Sequence, residues 1–160
     1  MEPADVKQPY FLAPNQGVEE WWVRGNRFTF KASANQVGPG FAVVETLLHP
    51  VAAAPAHVHD HTDEAVYVIE GQLGLEVGED RFEARTGSFA FLPRGIPHRY
   101  LPRPPGDVRV LWMLTPSGFE NYWRDIGQLV VPGEPEPIPE PADPEFMAKL
   151  GRRYATRFLP

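Results

Sequence analysis

The chain has 160 residues, 19 of them Pro and 14 Gly, with 42% hydrophobic residues and no cysteine. That length and apolar content fit one folded domain, and the lack of cysteine excludes disulfide frameworks, thiolate zinc sites and a cysteine nucleophile. A net charge of -6 argues against general nucleic-acid binding, and no apolar run approaches the roughly 20 residues that span a bilayer.

In chain order, residues 1–20 read as an N-terminal arm interrupted by Pro9, Pro14 and Gly17. Its acidic start has no apolar stretch behind a basic head, so a secretory signal is not expected and a cytoplasmic location is. Strand signals fill residues 21–116. Residues 21–24 and 27–30 flank Gly25-Asn26, a tight-turn pair, and residues 41–48 form a long β-prone run. Further strand signals cover 65–69, 73–77, 81–84, 88–92, 97–101 and 108–114. Gly- and Pro-containing turns separate them, and no long helix intervenes. Such spacing predicts an all-β sandwich or barrel.

Residues 117–160 read as two short helices and a spacer that pack on the barrel. Ser117 and Glu120 have the spacing of a capping box for a helix over 119–126, which Gly127 would close as a left-handed cap. Asp143 and Pro144 open a second helix, over 145–150. Between the helices, the Pro-rich stretch 131–142 is expected to be extended.

Three of the five histidines lie within five residues: His57, His59 and His61. Residues two apart on a strand share a face, so His57 and His59 converge. Glu64 follows with a carboxylate, and His98 is a fourth candidate. Imidazole and carboxylate together suit a divalent first-row metal, whereas a solvated histidine-rich loop is the alternative.

The arrangement resembles the cupin superfamily. Its first motif, G-x5-H-x-H-x4-E-x6-G, is matched at His57, His59, Glu64 and Gly71, with Val51 in place of the leading glycine. The second, G-x5-P-x-G-x2-H-x3-N, is matched at Gly87, Pro93, Gly95 and His98, with Pro102 in place of the asparagine. The resemblance implies a small antiparallel β-barrel of jelly-roll type. It also implies one divalent transition metal per chain (Fe, Mn, Ni, Co, Cu or Zn), held by His57, His59, Glu64 and His98. His61 is left to the surroundings of the metal or to solvent. Cupins commonly dimerise, and the strand-edge residues after the arm suit a homodimer.

Three imidazoles and one carboxylate leave two positions open on a six-coordinate ion, and Glu64 is also a candidate general base. Alternation from His98 and Glu64 sends Tyr100, Val66 and Val68 inward. Phe91 and Trp112 are further candidates for the substrate pocket, their parity being open. Almost none of these positions is cationic, which favours a small, flat aromatic substrate over a sugar phosphate.

The stretch 114–127 and the Arg157-Phe158 pair are similar to the segment after the barrel in quercetin 2,3-dioxygenase-like cupins. That similarity implies oxygenolytic cleavage of a flavonol, with dioxygen as co-substrate and Glu64 taking the hydroxyl proton. A non-oxidative cyclase or isomerase, and a binding cupin without turnover, are the alternatives.

Overall fold

The structure is a computed structural model and describes residues 7–160. The first six residues of the expected arm, on which the reading of the leader rests, lie outside the described residues. Ten strands come first: β1 (Glu19–Val23), β2 (Asn26–Ala32), β3 (Ala42–Leu48), β4 (His57–His59), β5 (Asp63–Glu70), β6 (Gln72–Val77), β7 (Asp80–Arg85), β8 (Phe89–Leu92), β9 (His98–Pro102) and β10 (Val108–Thr115). Helix α1 (Ala34–Val37) lies between β2 and β3. After β10 come α2 (Glu120–Ile126), β11 (Gln128–Leu129), α3 (Pro144–Gly151) and β12 (Thr156–Phe158).

Every strand pair is antiparallel. They build two sheets, ordered β11-β1-β2-β3-β10-β5-β8 and β12-β4-β9-β6-β7. The core follows from period-2 patterning. Along β10, Val108, Val110, Trp112 and Leu114 are buried while the residues between them are not, and β3 alternates in the same way. Each such side chain contributes roughly 1.5–3 kcal/mol by leaving water. Trp112 also donates its indole N–H to Thr46 Oγ1 at 2.9 Å, so its polar edge is satisfied inside the barrel.

The C-terminal region does more than pack helices on the barrel. Residues β11 and β12 each add a strand, one to either sheet. Helix α2 turns Tyr122 and Trp123 inward, where Trp123 meets Phe28 with ring centroids 5.0 Å apart. Asp143 caps α3 as expected, accepting from the Phe146 N–H at 3.0 Å.

Three local expectations are corrected. Ser117 does not cap α2: its hydroxyl donates to Gly38 O at 3.0 Å, and the buried Glu120 carboxylate accepts from the Ala34 N–H instead. Tertiary partners have outcompeted the local box. Gly127 is extended (φ -97°, ψ 177°) because the chain passes directly into β11. The hairpin turn sits at Arg24-Gly25, one residue before the expected pair, and Val23 pairs with Asn26. Asn26 is thereby buried, and its amide donates to Ala52 O while its oxygen accepts from the His49 N–H.

Gly25 is held at φ 77°, and a Cβ there would fall onto the backbone of Pro139 in the spacer. Gly25→Ala is therefore expected to lower stability by about 2–4 kcal/mol, combining left-handed backbone strain with overpacking. Denaturant unfolding checks this. A loss below about 0.5 kcal/mol, the range of ordinary surface changes, would show that the spacer does not press on the turn.

Candidate metal centre

Strand β4 places His57 and His59 with their neighbour Val58 fully inside. Its partner β9 brings His98 directly opposite His57, and β5 of the other sheet brings Glu64. The tight bend before β9 uses Gly95 at φ 79°, a conformation other residues rarely adopt. The four side chains are all buried, and one ligand atom from each lies within 4.8 Å of the others. His61 is exposed in the bend between β4 and β5, away from this group.

The proton positions follow from the partners of each ring. Pro55 O lies 2.9 Å from His57 Nδ1, and Ile96 O lies 3.1 Å from His98 Nδ1. A carbonyl only accepts, so both rings carry N–H at Nδ1. Thr156 Oγ1 donates to Tyr154 O at 3.2 Å and so accepts from His59 Nδ1 at 2.9 Å. All three rings therefore turn Nε2 towards the centre.

His59 Nε2 and His98 Nε2 stand 3.2 and 3.1 Å from the same oxygen, Glu64 Oε2. In neutral rings these Nε2 atoms are lone pairs, which repel a carboxylate unless a proton or a cation lies between them. His59 Nε2 is also buried without any hydrogen-bond partner. This donor set fits a divalent transition ion, and the Nδ1 partners supply the outer contacts that hold ligating imidazoles.

Titration shifts agree with a site built for positive charge. Burial would raise Glu64, but its close contacts with His59 and His98, and the charge those rings can carry, hold its carboxyl well below the usual range. His57 is pushed down to about 3, chiefly by burial and then by the neighbouring imidazoles. Burial would lower His98, yet its contact with Glu64 raises it. Tyr100 is pushed up to about 12, mainly by burial.

A model of the Cupin domain family matches residues 44–114, which hold all four of these side chains. Residues 44–114 are thus a cupin domain. Over 95 residues, 59% of its length, the chain is 33% identical to quercetin 2,3-dioxygenase of Bacillus subtilis (strain 168). It spans only 28% of that protein's length. An RmlC-like cupin of Shewanella frigidimarina superposes with a TM-score of 0.59 at 17% identity, covering 72% of this chain and 97% of the other. The polyketide cyclase RemF of Streptomyces resistomycificus gives 0.56 at 22%, covering 68% and 80%. At such identities these two structures speak for the fold alone.

Beside the cluster lies a cavity of ≈ 20 Å³, about the space of one water. His57, Glu64 and Tyr100 form one part of its wall; Phe119, Tyr122, Met147 and Phe158 of the C-terminal region close it. Val66 and Val68 point into the barrel as expected and Trp112 does too, but all three are buried in its core and do not line this cavity.

Phe91 is a correction. Opposed residues on paired strands share a face, and inward Val66 pairs with Ala90, so Phe91 faces outward and is 55% exposed. A second correction concerns charge: Arg24, passed over in the sequence, lies on the cavity wall. Thr156, Met147 and Phe158 were missed as well. The three-residue strand carrying Thr156 and Phe158 is too short to give a periodic signal.

Proposed function

We propose that this cupin is a metal-dependent enzyme and that its reaction is a dioxygenation of quercetin 2,3-dioxygenase type on an enolisable aromatic such as a flavonol. The observation that carries the metal is the trio of inward Nε2 atoms around one buried carboxylate. The likeness to the Bacillus subtilis dioxygenase, the relative above 30% identity, favours the oxidative reaction.

His57, His59, Glu64 and His98 would hold one divalent transition ion. Such an ion lowers the pKa of a hydroxyl that contacts it and stabilises the resulting anion. Glu64 is then the acceptor for the hydroxyl proton, being the carboxylate of the cluster and ionised at neutral pH. Its depressed pKa makes it a weak base, so the substrate hydroxyl must itself be acidic, as an enol or phenol is. Tyr100, kept protonated by burial, is available to donate a hydrogen bond to a substrate oxygen. Phe119 packs edge-on against His59 with ring centroids 4.3 Å apart and keeps water from that side chain.

A planar aromatic needs a pocket of roughly 300 Å³ or more, so its admission requires part of the cavity wall, such as α3 with Met147, to move. Oxygen uptake with a flavonol panel tests the reaction, using protein loaded in turn with iron, manganese, nickel, cobalt, copper and zinc. Uptake that depends on both flavonol and ion is expected. Turnover of substrate without oxygen consumption would instead assign the ion a purely Lewis-acid role, as in a cyclase or isomerase.

A further inference from the structure

Two polar groups on the cavity wall are left incompletely paired by the fold. Arg24 occupies the β1–β2 turn at φ 51°, a left-handed conformation that is uncommon outside glycine. Its Nη1 reaches only the carbonyls of Ala53 and Glu140, each at 3.4 Å, beyond the usual range of such a bond. Its Nε is buried with no partner. No carboxylate among the described residues forms an ion pair with it. Tyr122, only 2% exposed, likewise leaves its hydroxyl without a partner.

Both residues line the cavity that contains His57 and Glu64. Tyr100 lies on the same wall. The remainder of the wall is largely apolar, with Val23, Phe28, Trp123, Ile126 and Met147. Leaving buried donors unpaired is costly, and more so for a charged one. A neutral aromatic guest would deepen that cost by removing water from the guanidinium. A carboxylate offers two acceptor oxygens in the geometry a guanidinium fork receives, with a further lone pair for the Tyr122 hydroxyl.

We propose that Arg24 and Tyr122 receive a carboxylate carried by the substrate, whose reacting hydroxyl faces the His/Glu cluster. The preferred substrate is then an enolisable aromatic that also carries a carboxylate. This inference rests on the proposed metal site only for which end of the molecule reacts. Arg24 is a specificity residue here and takes no part in bond making.

Titration calorimetry with benzoate and its neutral isostere benzamide tests it, on the wild type and on Arg24→Gln, Arg24→Lys and Tyr122→Phe, with metal content measured on each sample. Wild type is expected to bind benzoate at least tenfold more tightly than benzamide. Arg24→Gln should weaken benzoate by roughly ten- to a hundredfold while leaving benzamide and metal content unchanged. Arg24→Lys should recover part of the loss, and Tyr122→Phe should cost benzoate a few-fold.

Equal loss of both probes in Arg24→Gln would mean that the arginine merely ties the spacer to the barrel, and would overturn the proposal. So would benzoate affinity unchanged by Arg24→Gln, which would place the probe on the ion, or no benzoate binding to wild type. If Arg24→Gln fails to fold, the benzoate preference of wild type and its change in Tyr122→Phe decide the matter. Metal content separates the two readings: charge selection by Arg24 in a protein that binds no ion would sink the metal site and leave this inference standing.

Discussion

Alanine in place of His59 is expected to reduce the metal content of the purified protein from about one divalent ion per chain to near zero, as full loss of one imidazole among four ligands demands. The same is expected of His57→Ala and His98→Ala. Each ring is buried, and its Nδ1 is already committed to Pro55, Thr156 or Ile96, so no neighbour can swing in to replace it. Removing His59 or His98 also strips Glu64 of one of the two contacts that hold it ionised, and a buried charge that loses its partner is strongly destabilising.

Elemental analysis reads the first effect, and thermal unfolding with and without a chelator reads the second. A ligand bound only to the folded state raises its stability by mass action. Chelation should therefore lower the melting temperature of the wild type and leave that of the alanine variants unmoved. Full metal content in any of the three variants would remove that residue from the site.

Thr156→Val should weaken metal affinity by about 10- to 100-fold while every ligand stays in place. Valine keeps the shape of the side chain, which is wholly buried, but cannot accept the His59 Nδ1–H. A buried donor left unmade costs about 1–3 kcal/mol. The ring escapes that cost by moving its proton to Nε2, and this removes the lone pair the ion needs. Thr156→Ser retains the oxygen and should restore most of the affinity, which separates the hydrogen bond from packing. Competition against a fluorescent chelator measures the difference. If the valine variant holds the ion within about twofold of wild type, the Thr156 contact does not orient His59.

The four-residue cluster was legible in the sequence because strand geometry is local. His57 and His59 share a face by period 2, Glu64 returns after one bend, and Gly95 supplies the turn that brings His98 opposite His57. Parity within a strand was legible as well, which put Tyr100, Val66 and Val68 inside. Parity between strands was not: Phe91 needed the register of β8 against β5. Arg24 and Thr156 reach the site through tertiary pairing alone, one from a turn 33 positions before His57 and one 97 residues beyond His59. The capping motif at Ser117 failed for a related reason. A box of that kind forms at Ser33 instead, whose N–H and hydroxyl both reach Gln36 Oε1, while Ser117 and Glu120 were drawn to the segment around α1.

The pairing of β12 with β4 has a consequence for biosynthesis. Thr156 aligns with His59 and Phe158 with His57, so the five-stranded sheet lacks one edge strand until residue 158 has been synthesised. Until then the His/Glu cluster has one imidazole unanchored and its cavity lacks the Phe158 side chain. Closing such a distant pairing is slow compared with local strand formation. His59 is therefore anchored late in folding, and the strand that finishes the sheet is also the one that orients this imidazole and helps to close the cavity.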